Sequence, residues 1–221
     1  MNQVYRDREA AGAALAQALE RYRGARPLIL GIPRGGVPVA AVVAHGLATE
    51  LDIVVARKLG APGDPELAIG AVTANGGCLL NEEAIQDLAV PRAYVAAELA
   101  RKRAEASARE ANLRASRAPA VIEGRTVIVD DGLATGATMR AAVRSVRNGH
   151  PGRLVVAVPV GAPESCDVIS DEVDELICLQ RPAVFLAVGA HYEHFEPVAD
   201  ETVRRLLLDA TRNASEPAKA H

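Results

Sequence analysis

A chain of 221 residues, at about 150 residues per domain, has room for one α/β domain with elaborations rather than two full domains. Its 49% hydrophobic and 24% charged residues match ordinary globular usage, which excludes disorder, a collagen-like repeat or a coiled coil over the whole length. The net charge of −3 excludes a nucleic-acid footprint spread over the surface, and no apolar run of about 18 residues points to a membrane span. Cys78, Cys166 and Cys178 are far apart in sequence, odd in number and without CxxC spacing, so neither a disulfide framework nor a zinc knuckle is expected and a reducing cytoplasm fits. The opening MNQVYRDREA turns polar at once, unlike a signal peptide.

Asp7 is placed to cap a first helix reaching Tyr22, with Leu15 and Leu19 one turn apart among alanines. Residues 27–32 (PLILGI) form a short apolar strand, then the turn Pro33-Arg34-Gly35-Gly36, then an alanine and valine helix to about Ala48. Residues 51–56 (LDIVVA) are a second buried strand. Residues 58–66 (KLGAPGDPE) hold two glycines and two prolines and are expected to be a loop, with Leu67–Ala74 resuming as a strand. Pro91 suits a first helical position, and the charged, alanine-rich stretch to about Arg117 predicts one long helix. A strand at Val127–Val129 leads into DDGLATGAT, a helix to about Arg147 and a strand at Leu154–Pro159, and this alternation predicts a parallel sheet. Residues 163–173 read as helix, 175–179 as extended, 185–195 as irregular or extended and 199–208 as helix. Residues 1–210 are therefore expected to form one domain with a small hood at about 177–198, and residues 211–221 a disordered tail.

The sharpest feature is TVIVDDGLATGAT, residues 126–138, a buried strand that ends in two acids and runs through a small-residue loop into a helix. Ligands of open α/β sheets sit beyond the carboxyl ends of the strands, where Asp130 and Asp131 fall. Ala134, Thr135, Gly136, Ala137 and Thr138 allow backbone N–H groups at a helix N-terminus to face an anion, and the two threonine hydroxyls add donors. Carboxylates only accept hydrogen bonds, so adjacent acids suit the hydroxyls of a ribose or the water shell of Mg²⁺. A plainer alternative has both acids merely cap the following helix. The Gly31–Gly36 segment is neither GxGxxG nor GxxxxGK[ST], which argues against a dinucleotide fold or a P-loop.

With its two acids and Thr-Gly loop, this sequence resembles the type I phosphoribosyltransferases, and is nearest to uncharacterised bacterial members predicted to belong there. The resemblance implies a parallel-sheet α/β fold of that type, carrying the long helix as an insertion and a small C-terminal hood. It implies that Asp130 and Asp131 hold the ribose hydroxyls of phosphoribosyl pyrophosphate, with Mg²⁺ bound directly or through water, and that Ala134 to Thr138 hold the 5′-phosphate. Pro33, Arg34, Gly35 and Gly36 are similar to the family's pyrophosphate loop, and Arg57-Lys58 to the basic pair leading into its mobile catalytic loop. Arg34, Lys58 and Asp131 are thus the implied catalytic residues; as plainer readings, Arg34 and Lys58 are solvated side chains beside turns.

DDGLATGATMRAA most resembles the loop of adenine phosphoribosyltransferases. Ala134 stands where the 6-oxopurine enzymes typically have Asp, which disfavours hypoxanthine or guanine, and Gly132 stands where a branched apolar residue is more usual. Phe185, Tyr192 and Phe195 crowd into eleven residues with His191 and His194. Planar bases bind well against planar rings, so Phe185 and Tyr192 are candidate base contacts; alternatively these rings pack on one another. The resemblance implies transfer of 5-phosphoribosyl to a nitrogen nucleophile, a nucleobase, with release of pyrophosphate. The alternative is a non-catalytic regulator that binds the same ligand. Expected partners are phosphoribosyl pyrophosphate and a small nitrogenous base, with no membrane and no nucleic acid; the resemblance is compatible with a homodimer.

Overall fold

The computed structural model describes residues 4–115 and 117–215. In chain order its elements are α1 (Arg8–Ala18), β1 (Leu28–Gly31), α2 (Gly36–Leu47), β2 (Leu51–Ile53), β3 (Ala56–Ala61), β4 (Asp64–Thr73), β5 (Cys78–Leu80), α3 (Glu82–Asp87) and α4 (Arg92–Arg114). There follow β6 (Arg125–Val129), α5 (Ala137–Asn148), β7 (Arg153–Val160), α6 (Pro163–Glu172), β8 (Glu175–Gln180) and α7 (Asp200–Ser215).

Five strands form a parallel sheet in the order β2-β1-β6-β7-β8. The central strands β1, β6 and β7 are largely apolar because both faces of the sheet are covered, as parallel sheets require. Alternate residues go to opposite faces. Ile29, Val127, Val129, Val155 and Ala157 pack with Leu15 of α1, Val39 and Val43 of α2 and Val203 of α7. Leu28, Leu30, Ile128, Leu154 and Val156 pack with Met139 and Val146 of α5 and Ile169 of α6. The chain leaves β1 toward β2 on one side and later returns to β6 on the other, which makes the β1/β6 junction the topological switch point. Gly31 pairs with Val129 there, so the loops after β1 and β6 emerge side by side.

The largest correction concerns residues 58–66, expected to be a loop. They lie in and around a hairpin: β3 and β4 pair antiparallel, β5 adds a third strand, and this second sheet packs against α4 and α5. Pro62 and Gly63 make the turn, with Gly63 at φ 79°, the left-handed value a type II turn needs at that position. Gly60 serves a close backbone approach, since a Cβ there would lie 2.6 Å from Pro65 Cα. The pairing register shifts on either side of it. Leu59, Ile69, Val72, Ile85 and Val95 form the core of this unit.

The long helix α4 is anchored at its end by Arg114, whose Nε donates to Asp52 Oδ1 at 2.9 Å and Nη2 to the Ile53 carbonyl at 2.9 Å. Three other boundaries differ from expectation. Residues 177–180, assigned to the hood, belong to the edge strand β8. Helix α7 continues to Ser215, through the first five residues of the expected disordered tail, and residues 216–221 lie outside those described. The first helix ends at Ala18, and a 3₁₀ segment spans Glu20–Ala25.

Candidate functional site

Asp130 and Asp131 leave the carboxyl end of β6 with the Asp131 N–H donating to Asp130 Oδ1 at 2.9 Å. Surrounding protein pushes the Asp130 carboxyl well above the usual carboxylate range, and the Asp131 charge adds to the effect. Burial also raises Asp131, against the opposing pull of the Arg8 guanidinium. The turn after β1 lies directly on these acids. The Ile32 N–H bonds to the Val129 carbonyl at 3.0 Å, the Gly36 N–H returns to Ile32, and the Pro33–Arg34 peptide is cis. A Cβ on Gly35 would fall 2.0 Å from Asp131 Oδ2, and one on Gly36 would fall 2.8 Å from both Asp130 Cα and Oδ1. Only glycine permits that approach.

Beyond the acids, Leu133 bridges to Gly161: its N–H donates to Val160 at 2.9 Å and its carbonyl accepts from Ala162 at 2.8 Å. Ser165 Oγ donates to the Ala134 carbonyl. Gly136, at φ 75°, then turns the chain into α5, whose first backbone bond runs from Arg140 N–H to the Gly136 carbonyl at 2.8 Å. The N–H groups of Ala137, Thr138 and Met139 therefore have no acceptor inside the helix, and no side chain caps it. Thr135 and Ala134 are exposed beside them. Uncapped N–H groups at a helix start, beside paired acids, are suited to receive an anion.

Arg34 is half exposed, with Nη1 3.9 Å from Asp200 Oδ1 at the start of α7. Lys58 is an exposed residue of β3 opposite Ala71, and among the described residues no hydrogen bond or ion pair ties it to the acids or the start of α5. The structure therefore brings Pro33–Gly36, Asp130, Asp131 and Ala134–Thr138 together, and leaves Lys58 on the neighbouring sheet.

The hood closes on the same acids. Tyr192 is 6% exposed and donates its hydroxyl to the Asp131 backbone carbonyl at 2.6 Å. Its ring stacks on Phe195 at 4.9 Å and lies 5.8 Å from Tyr5, while Phe185 stacks on His191 at 5.4 Å. Tyr192 thus buttresses Asp131 instead of offering a face to a base, as in the plainer alternative where the rings pack together. Arg8, which the sequence reading missed, donates Nε to Asp131 Oδ2 at 2.8 Å. A signal existed: Arg8 puts a cation in the first turn of α1, where the helix dipole favours acids.

A family model described as the phosphoribosyl transferase domain matches residues 71–194. A Mycobacterium tuberculosis H37Rv protein, provisionally named a phosphoribosyl transferase, is 39% identical over 214 residues, 96% of this chain and 48% of that protein. The chain belongs to the phosphoribosyl transferase family. The crystal structure of TT1426 from Thermus thermophilus matches this chain with a TM-score of 0.81 and 44% identity, covering 94% of it and 99% of TT1426. The chain spans about half the length of the curated relatives it matches.

One departure from the family pattern has a local cause. A Cβ at Gly132 would lie 2.6 Å from Val188 Cγ1, so Val188 of the hood already fills the space that the expected branched apolar residue would take. Among the described residues no group of three His, Cys, Asp or Glu could hold a metal ion by itself. Two desolvated acids facing one cation, Arg8, nonetheless suit a Mg²⁺ ion that arrives on a ligand's phosphates and needs only one or two protein carboxylates. No described helix is long and apolar enough to cross a membrane.

Proposed function

We propose that this protein transfers a 5-phosphoribosyl group from phosphoribosyl pyrophosphate to a nitrogen of a planar base, releasing pyrophosphate. The observation that carries the reading is the packing of the Gly35-Gly36 turn onto Asp130 and Asp131, with the uncapped start of α5 continuing the same chain segment. Asp130 and Asp131 accept hydrogen bonds from the ribose hydroxyls. The N–H groups of Ala137, Thr138 and Met139 and the hydroxyls of Thr135 and Thr138 hold the 5′-phosphate, fixing C1′ relative to the turn. As the bond from C1′ to the pyrophosphate oxygen breaks, its electron pair leaves with pyrophosphate and the base nitrogen bonds to C1′. Arg34, on the turn packed against the acids, stabilises the charge growing on the leaving oxygen, by electrostatics and without a covalent enzyme intermediate. Asp130 and Asp131 would hold Mg²⁺ directly or through water, and the ion would neutralise part of the diphosphate charge.

The base meets the site beneath the hood, near Val188 and Phe185. The three free cysteines agree with a cytoplasmic setting. Pyrophosphate release, measured with phosphoribosyl pyrophosphate, Mg²⁺ and a panel of nitrogenous bases, tests the reading. Release that depends on one base supports it. Tight binding of phosphoribosyl pyrophosphate with no release for any base would instead make the protein a regulator, and absence of binding would remove both.

A further inference from the structure

Arg8 sits outside every sequence motif, yet it touches the centre of the site. Its side chain is 12% exposed and that of Asp131 14%, so the pair is largely shielded from water. Three contacts hold the guanidinium: Nε donates to Asp131 Oδ2 at 2.8 Å, Nη1 donates to the Glu196 carbonyl at 2.9 Å, and its face lies 3.9 Å from the centroid of the Phe195 ring. A planar fork tied at two nitrogens and across one face cannot turn freely. Asp131 is correspondingly gripped from both ends, with its carboxylate on Arg8 and its backbone carbonyl on Tyr192. Without Arg8 its carboxylate would rotate about a broad terminal torsion.

Resting on the reading above, we propose that Arg8 is a positioning residue for ribose recognition. It fixes Oδ2 of Asp131, so the remaining acceptor sites of that carboxylate meet a ligand hydroxyl in a single orientation. Arg8 does not itself touch the sugar. Its effect passes through Asp131, and the hood that holds Arg8 becomes part of the sugar-reading apparatus. The class of ligand favoured is a ribose phosphate with both ring hydroxyls present, over its deoxy analogues.

The test is a discrimination ratio, which a merely structural role would not move. Calorimetric titration of the full chain compares ribose 5-phosphate with 2-deoxy- and 3-deoxyribose 5-phosphate, for wild type, Arg8→Gln and Arg8→Lys, with melting curves alongside. Wild type is expected to prefer ribose 5-phosphate over at least one analogue by about tenfold, the scale of a hydrogen bond to a charged acceptor. Arg8→Gln should bring that ratio close to one, and Arg8→Lys, which keeps the charge but loses the fork, should restore part of it. If Arg8→Gln fails to fold, the fall in ratio is read from Arg8→Lys alone. An unchanged ratio, or equal losses for all three ligands, overturns the role of Arg8. Titration of wild type with Mg²⁺ and phosphoribosyl pyrophosphate separates the two ideas: binding there with no change in ratio sinks only the Arg8 proposal, whereas no binding sinks the phosphoribosyl reading with it.

Discussion

Gly132 shows how one missing side chain is answered from 56 positions away by Val188. Gly132→Val should drive branched carbons into Val188, and overpacking of this kind costs about 1–3 kcal/mol. Adding Val188→Ala should recover most of that loss in urea melts; a double variant no more stable than the single would show that the two positions do not share space. Arg34 makes a different prediction because it is half exposed and the nearby carboxylate of Asp200 is 3.9 Å away. Arg34→Ala should leave stability within about 0.5 kcal/mol, as surface substitutions do. It should weaken pyrophosphate binding more than ribose 5-phosphate binding, and equal losses for the two would place Arg34 on the whole site. The acids, the Gly-Gly turn and the Thr-Gly loop were legible because each is a contiguous motif. Arg8 was not, since its partner Asp131 lies 123 positions away and only the folded hood and α1 bring them together.

At the scale of elements, the parallel sheet was readable because its central strands are apolar runs punctuated by glycine turns, whereas the hairpin was not. Its glycines and prolines, ordinarily loop signals, serve a tight turn and a shifted register here. Gly63→Ala tests that account: the φ of 79° disfavours a Cβ although nothing lies within 4 Å of it, so the cost should be the backbone penalty alone, about 1–2 kcal/mol. The β7/β8 edge offers a pH-dependent case. Asp174 accepts from the Leu154 N–H at 2.6 Å and pairs with Arg147, contacts that hold its carboxyl below the usual carboxylate range. A group with a lowered folded-state value stabilises the fold above its unfolded value, about 3.9 for Asp, and that stabilisation is lost as pH falls through the folded-state value. Asp174→Asn should therefore be less stable than wild type at pH 7, with the gap narrowing as the pH drops below about 4. Denaturant melts at the two pH values would expose a gap that stays constant.

At the scale of the whole molecule, the segment before α1 meets the hood over the carboxyl edge of the sheet. Tyr5 bridges Tyr192, with the Tyr5 N–H bonded to His191 at 2.9 Å and the Glu193 N–H returning to Tyr5 at 2.8 Å. The fold thereby closes on two adjacent acids whose charged forms burial disfavours, and the charge of Asp131 adds repulsion at Asp130, a local cost that proteins accept where a ligand must bind. Replacing both acids by their amides, Asp130→Asn with Asp131→Asn, removes that repulsion while keeping the shape. The ligand-free double variant should accordingly melt no lower than wild type, because the lost Arg8 ion pair is offset by relief of two desolvated charges. Ligand should then separate the proteins. At a phosphoribosyl pyrophosphate concentration about 100 times its dissociation constant, mass action stabilises wild type by about 2.7 kcal/mol, and the double variant should show almost none of this rise. Melting curves with and without ligand and Mg²⁺ decide the matter: a folded double variant that keeps the full ligand shift would take the ribose site away from Asp130 and Asp131.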